Sequence, residues 1–136
     1  MEAVCYALIC ADRVITENNG KKGLIGVFSG FQFPAFPSPP TQWFVYAGLA
    51  NVIGRQQFSL NLVHDQSQQV LFSLAGELTI PEGNREIELV VPVGNLQFHQ
   101  PGAHVLILNI DGMPIASRML RVSMVPQSEM QPPGEN

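Results

Sequence analysis

The stretch VLILNIDGMPIASRMLRVSMV, residues 105–125, decides the fold class of this chain. Two apolar runs, residues 105–110 and 115–125, flank the tetrapeptide Asp-Gly-Met-Pro at positions 111–114. An Asp-Gly pair between two such runs is a strong short-range signal of a β-hairpin, because its tight turn needs positive φ angles. The pattern therefore predicts two antiparallel strands joined at Asp111-Gly112.

Short apolar runs separated by turn residues continue toward the N-terminus. Asn19-Gly20 predicts that the first two runs form a hairpin, and Gly76 predicts a bulge between two short strands. No stretch shows a helical period free of Gly and Pro. We therefore expect an all-β, two-sheet antiparallel sandwich, immunoglobulin-like or a related Greek key, with about 8 strands and little helix. The other predicted strands cover residues 4–15, 24–33, 43–50, 58–62, 70–74, 77–80 and 85–93. The predicted domain covers residues 1–125, and the Pro-rich tail 126–136 is expected to be disordered.

Charged residues make up only 13% of the 136 residues, and the net charge is -4. A chain without a basic excess lacks the electrostatic footprint of a nucleic-acid-binding protein. Residues 23–54 contain no charged side chain, but four prolines at positions 34, 37, 39 and 40 exclude a membrane-spanning helix. We therefore expect neither a nucleic-acid partner nor a membrane location.

Two cysteines, Cys5 and Cys10, are too few for a disulfide framework. Their odd spacing on one strand predicts side chains on opposite faces of the sheet, where they cannot bridge. Reduced, buried thiols are typical of a cytoplasmic protein, so this is the predicted location.

The order of features along the chain resembles a family of small uncharacterised bacterial proteins that carry a domain-of-unknown-function label. The resemblance covers roughly residues 4–125 and implies a bacterial origin and a β-sandwich fold. It implies no activity, cofactor or site residue. It rests on the segments ADRV at 11–14, GK at 20–21, LIGVF at 24–28, FPAFP at 33–37, LNLV at 60–63, PG at 101–102 and LNIDG at 108–112.

Side chains that can bind metals or catalyse hydrolysis are present without a recognised spacing. Zinc needs three or four convergent ligands and calcium six to eight oxygens, so we expect no metal. Ser29 in Gly-Val-Phe-Ser-Gly stands one position too late for a nucleophile elbow. We therefore expect no cofactor and no enzymatic activity, and we expect the histidines at strand ends or in loops, in contact with water. The potential ligands are His64, His99, His104, Asp12, Asp65 and Asp111.

The segment 34–40 cannot form a sheet ladder, because its four prolines lack backbone donors. Two interpretations stay open. The segment is a rigid crossover whose flanking aromatic residues plug the end of the core, or it is a polyproline stretch that docks in an aromatic groove of a partner.

The shortage of charge predicts that an apolar sheet face or edge is covered by another protein. Residues 43–50 are apolar at both sets of alternate positions, so this run and residues 24–40 are where we expect the surface. The predicted function is a non-enzymatic interaction or structural module that forms a homo-oligomer or binds an unidentified protein partner. The alternative is a small-ligand-binding sandwich whose aromatic pocket is lined by Phe33, Phe36, Trp43 and Phe98. The candidate interaction residues are Phe33, Phe36, Trp43, Phe44 and Tyr46.

Overall fold

A computed structural model describes residues 3–80 and 86–126 of the chain. These residues form nine strands and no helix. Within the described part of the chain, no helix is long and apolar enough to cross a lipid bilayer. The predicted tail at residues 126–136 lies outside the described residues, apart from Pro126. The strands are β1 (Val4–Thr16), β2 (Lys22–Phe28), β3 (Gly30–Phe33), β4 (Thr41–Ala50), β5 (Arg55–His64), β6 (Val70–Thr79), β7 (Glu86–Leu96), β8 (Gly102–Ile110) and β9 (Met113–Met124).

The strands form two packed sheets. Sheet A has the order β2-β1-β4-β7, and sheet B has the order β3-β9-β8-β5-β6. The chain crosses between the sheets from β4 to β5 and from β7 to β8, and β8 and β9 form a hairpin. These connections match the B–C, E–F and F–G steps of an immunoglobulin-like sandwich. The predicted all-β sandwich is therefore confirmed, with nine strands instead of about eight.

The hairpin predicted at Asp111-Gly112 is present. Ile110 pairs with Met113, so the connection has two residues, and both have positive φ, +50° at Asp111 and +80° at Gly112. This is the type I′ turn that matches the twist of paired strands. The first hairpin is also present, because β1 pairs antiparallel with β2 across the turn that holds Gly20.

Replacing Gly112 with Val is expected to lower the free energy of unfolding by about 1 kcal/mol or more. A Cβ at this position would meet no atom within 4 Å, so the loss would come from backbone strain at positive φ. Urea unfolding measures the difference. The control is Gly94→Val, because Gly94 lies in β7 without a left-handed φ and its Cβ would also meet nothing within 4 Å. An equal loss in both variants would contradict this explanation.

The predicted strand at residues 24–33 is two strands that belong to different sheets. The chain leaves sheet A after Phe28, and β3 pairs parallel with β9 at the edge of sheet B. Gly30 makes the change possible, because a Cβ there would stand 2.3 Å from the carbonyl oxygen of Arg121. The expectation of a purely antiparallel sandwich is therefore wrong at this one pair of strands.

A bulge in β1 corrects the prediction for the cysteines. The register shifts between Cys5 and Ala7, and the extra residue reverses the alternation of side chains. Cys10 is fully buried in the core, and Cys5 packs against the same core instead of facing away. Burial raises the pKa of the Cys10 thiol to about 11, so this thiol stays protonated and unreactive at neutral pH.

The β-bulge predicted at Gly76 is absent. Residues 70–74 and 77–80 were predicted as separate strands around a bulge at Gly76, but β6 runs through this position. The register shift between β5 and β6 lies at Leu62/Val63. Gly76 is needed because the ring of Phe58 covers it, and a Cβ would stand 2.7 Å from that ring.

Candidate interaction surface

Strand β4 runs through the middle of sheet A and separates the core from the opposite face. Trp43 and Val45 point into the core and are buried, whereas Phe44 and Tyr46 point to the other side and are half-buried. The alternation follows from the period of two in a β-strand. Because both sets are apolar, one set fills the sandwich and the other lies on its surface.

Two cross-strand rows of apolar residues pass through Phe44 and Tyr46. Phe44 pairs with Ala11 on β1 and Pro92 on β7, and Tyr46 pairs with Ile9 and Val90. On the far side of β1, Ala11 pairs with Val27 of the edge strand β2. These two rows contain no charged residue. We call the surface that they form with Tyr6 the outer face of sheet A; its members are Tyr6, Ile9, Val27, Phe44, Tyr46, Val90 and Pro92.

Exposure is high at the margins of this face. Val27 is 56% exposed and Tyr6 is 54% exposed. Tyr6 lies at the β1 bulge, and its ring covers Gly48, where an added Cβ would stand 2.5 Å from the ring. The face thus presents large apolar side chains to solvent over the width of the sheet, which is typical of a protein-binding surface.

Tyr46 forms the polar contact of the outer face. Its hydroxyl donates a hydrogen bond to the carboxylate of Glu88, which lies on β7 opposite Gly48. Burial raises the pKa of Tyr46 above its ordinary value, and Glu88 and Tyr6 raise it further. The phenol therefore remains a neutral donor that holds its ring in one position.

The outer face of sheet B is mixed. One uncharged row crosses it, formed by Val70, Val63, Val105 and Met119, and polar side chains lie beside this row. Ser73 donates to Asn61 Oδ1 at 2.6 Å, and Asn109 Nδ2 donates to Ser59 Oγ at 3.0 Å. Near one end of this face, Arg55 Nε lies 3.3 Å from a carboxylate oxygen of Glu77. These polar groups satisfy one another at the surface of the sheet.

The structure divides the five predicted interaction residues among three places. Phe44 and Tyr46 lie together on the outer face of sheet A. Trp43 is only 2% exposed, so its inclusion in an interaction surface is wrong; its position in β4 turns it into the core. Phe33 and Phe36 are half-buried and pack against the core.

The rings predicted to line a ligand pocket pack on each other instead. The centroid of Phe33 lies 5.9 Å from that of Phe36 and 6.1 Å from that of Phe98, and Phe31 lies between Trp43 and Phe98 at 5.9 and 5.1 Å. Such distances are those of contacting aromatic rings. The aromatic cluster therefore fills the end of the sandwich.

Buried Ser38 attaches the Pro-rich segment to this cluster. Its backbone N–H donates to the carbonyl of Phe98 at 2.8 Å, and its hydroxyl oxygen accepts the N–H of Phe98 at 2.9 Å. Gln97 Nε2 also donates to the Ser38 carbonyl at 3.0 Å. The segment is held as a crossover, which agrees with the first of its two interpretations.

Two of the three histidines are inside the protein, contrary to expectation. His99 is exposed, but His64 and His104 are 3% and 0% exposed, and their ring centroids lie 4.9 Å apart. The two residues pair across β5 and β8 and continue the inward positions of the neighbouring leucines. Within the described residues, no three His, Cys, Asp or Glu side chains are grouped so that they could hold a metal ion.

Hydrogen bonds indicate the tautomer of each ring, that is, which ring nitrogen carries the hydrogen. His64 Nε2 donates to the carbonyl of Pro101 at 3.1 Å, so its Nδ1 is the acceptor. His104 Nδ1 donates to the carbonyl of Gly102 at 3.1 Å. His104 Nε2 is then an acceptor, and it is buried without a hydrogen-bond partner among the described residues.

The contact between His64 and Ser67 has one feature of a nucleophile and its base. Ser67 Oγ lies 2.8 Å from His64 Nδ1. The same nitrogen also accepts the backbone N–H of Ser67 at 3.1 Å, and the other ring nitrogen is held by a carbonyl, not a carboxylate. This pattern closes the turn between β5 and β6 and assigns the pair a structural role.

Val27 lies in the region 24–40 where the surface was expected, but four contributors to the outer face of sheet A were not recognised from the sequence. Ile9, Val90 and Pro92 belong to predicted strands, and their place beside Phe44 and Tyr46 depends on strand order and register. Tyr6 reaches the face through the bulge. The available signal was the apolar run in the segments at 24–28 and 87–93, which indicated strands without showing which ones are neighbours.

Together the fold and this face define a small immunoglobulin-like β-sandwich with one apolar outer sheet. The chain belongs to a family of unknown function, DUF6941, whose model matches residues 6–123. The predicted membership in an uncharacterised family is therefore confirmed. No curated protein sequence matches the chain significantly.

Among solved structures, the chain is similar to part of the Pseudomonas fluorescens alkylpurine DNA glycosylase AlkC bound to DNA containing an abasic site analog. The match has 9% identity and a TM-score of 0.44. It covers 90% of this chain and 30% of the glycosylase, so the chain spans about a third of that protein's length.

Proposed function

We propose that the protein is a non-catalytic interaction module that binds a protein partner through the outer face of sheet A. The observation that carries the proposal is the pair of uncharged rows through Phe44 and Tyr46, which crosses the sheet from β1 to β7. Water contact with such a face is unfavourable by roughly 25 cal/mol for each Å² of apolar surface. Covering it with a partner removes this cost.

The aromatic side chains of sheet A support the choice of face. Polar side chains that hydrogen-bond to one another accompany the apolar row of sheet B, whereas the outer face of sheet A carries Phe44 and two tyrosines, and the Tyr46 hydroxyl is held by Glu88. Aromatic residues surrounded by apolar neighbours are enriched at the centres of protein interfaces. Tyr6, Phe44 and Tyr46 have this arrangement.

The proposed setting is the cytoplasm of a bacterial cell. Both cysteines are free thiols, and thiols persist in the reducing cytoplasm. The bacterial assignment rests on the resemblance of the sequence. The ligand-binding alternative has less support, because the rings of Phe31 and Phe33 contact that of Phe98.

Site-specific photo-cross-linking in the native host tests the proposal. A photoreactive phenylalanine analogue placed at Val90 should form protein adducts, because Val90 lies on the outer face of sheet A. The same analogue at Ser117, an exposed position of sheet B, is the control and should form few. The additional change Phe44→Glu should abolish the adducts from position 90, because it places a charge in the centre of the surface.

A cross-link to a second copy of the chain and a cross-link to another protein both count as adducts. Equal adduct yields from positions 90 and 117, or no adduct from position 90, would contradict the proposed function. Persistence of the adduct in the Phe44→Glu background would contradict the assignment of the surface.

A further inference from the structure

We infer that the partner on the outer face of sheet A is a second copy of this chain, which forms a symmetric face-to-face dimer. The inference rests on the proposed function and names its partner. Three observations support a second copy: the area of the face, its distribution of charge, and the composition of the chain segments outside the described structure.

The outward surface of the whole of sheet A, with the outer face at its centre, has the area that a stable dimer needs. Four strands spaced about 4.8 Å apart, with a length of about 34 Å, give roughly 650 Å². Two such faces in contact bury roughly 1,300 Å² in total, within the range of about 1,200–2,000 Å² for specific interfaces. A sheet face is also a surface that packs readily on another sheet at a separation of about 10 Å.

The charges lie where two-fold symmetry makes them complementary. Arg13 on β1 is exposed and lies one inter-row step beyond the Phe44 row, where it pairs with Ile25. Glu88 on β7 lies one step beyond the Tyr46 row, at the opposite end and on the opposite side of β4. A two-fold axis that lies in the interface, passes between Phe44 and Tyr46 and runs obliquely to the strands exchanges both the ends and the two sides of the sheet. This orientation brings Glu88 of one copy toward Arg13 of the other, twice in the dimer.

The segments of this sequence outside the described residues carry few apolar side chains. Residues 1–2 are ME, residues 81–85 are PEGNR and residues 127–136 are QSEMQPPGEN. Together they contain two methionines and no other large apolar side chain. A segment of this composition cannot replace the water-excluding contact that seven apolar residues require.

Sedimentation of the full chain from about 1 to 100 μM tests the inference directly, in the micromolar range where interfaces of this size often associate. The expected mass is twice the chain mass of 14.9 kDa. Phe44→Glu should weaken dimerisation by about tenfold or more, since it places a charge at the centre of the interface. The matched control is Ile107→Glu, at a half-buried apolar position on the outer face of sheet B, which should leave the dimer unchanged.

Charge reversal gives a second test that does not depend on the stability of a core variant. Arg13→Glu and Glu88→Arg should each weaken the dimer, and the double variant should recover it, because the pair is restored in the opposite sense. Failure of the double variant to recover would contradict the proposed orientation.

Truncation and the combination of sedimentation with cross-linking separate the possible occupants. A chain truncated after Pro126 should remain a dimer; dimerisation only after truncation would show that the tail covers the face. If the full chain is a monomer at all concentrations while position 90 still cross-links to another protein, the second copy is wrong and the proposed function stands. If the chain is a monomer and position 90 forms no adduct, both fail.

Discussion

The variant Trp43→Ala is expected to lose about 3–5 kcal/mol of unfolding free energy, the cost of removing a large buried aromatic side chain. The indole is 2% exposed and packs edge-on against Phe28, with centroids 5.6 Å apart. Its Nε1 donates to Thr41 Oγ1 at 3.1 Å, and that hydroxyl donates to the carbonyl of Leu96 at 2.8 Å. The substitution therefore removes a core contact and one hydrogen bond of a chain that joins β4 to β7. Urea unfolding measures the loss, at a protein concentration below the dissociation constant of the dimer so that the monomer is observed.

The neighbouring residue supplies the control for this prediction. Phe44 lies between the buried residues Trp43 and Val45 and points to the outer face of sheet A. Phe44→Ala should therefore reduce the unfolding free energy of the monomer much less than Trp43→Ala does. The same Phe44 variant should weaken association, which Trp43→Ala affects only through folding. Similar losses of stability in the two monomers would contradict the assignment of one side chain to the core and the other to the surface.

The strands themselves were predictable because their signals are local. The alternation in residues 43–50 is a side-chain periodicity, and the Asp-Gly turn is a preference for positive φ angles. Both are properties of residues that are adjacent in sequence. The alternation in β4 places Phe44 and Trp43 on opposite faces, but both were predicted as interaction residues, because the run is apolar at both sets of positions. Assigning which set faces the core required knowledge of the opposite sheet.

The parts that sequence reasoning missed depend on contacts between distant segments. The switch of β3 to sheet B is decided by the close approach of Gly30 to Arg121, which is 91 positions later in the chain. The bulge beside Tyr6 moves one residue out of register, and every alternation before it is then reversed. Neither event leaves a periodic trace in the local sequence.

The candidate surface was half predictable for the same reason. Phe44 and Tyr46 share one strand, so their common face followed from spacing alone. Phe33 ends β3, and Phe36 lies in the Pro-rich segment, whose position depends on the hydrogen bonds between Ser38 and the distant Phe98. The buried positions of His64 and His104 were also available from the alternation of their strands, since each stands two residues from a buried leucine.

Acidification below about pH 6.5, the ordinary pKa of an imidazole, is expected to destabilise the fold through His104. Burial lowers the pKa of His104; the hydrogen bond to the Gly102 carbonyl opposes this, and the nearby His64 ring adds to it. The unfolded chain therefore takes up the proton at a higher pH than the native protein does. Stability from this residue is fully present above about pH 6.5 and is lost as the pH falls toward the lowered pKa.

The physical reason is the environment of the atom that must accept the proton. His104 Nε2 is buried without a hydrogen-bond partner among the described residues, and the His104 ring meets Phe98 edge-on with centroids 5.1 Å apart. A charge at Nε2 would be desolvated and would lie close to His64. Urea unfolding at pH 7, 6 and 5 should show a falling free energy, with a slope of at most about 1.4 kcal/mol per pH unit for one proton.

Two variants and a second titrating group identify the source of this loss. His104→Leu should flatten the dependence between pH 7 and 5, whereas His99→Leu removes an exposed imidazole and should leave it unchanged. Asp111 does not contribute in this range: the backbone N–H of Gln57 and the amide of Gln56 lower the pKa of its carboxyl group below the ordinary value of 3.8, so its stabilising effect is lost only at lower pH. An unchanged slope in His104→Leu would show that the acid sensitivity arises elsewhere in the protein.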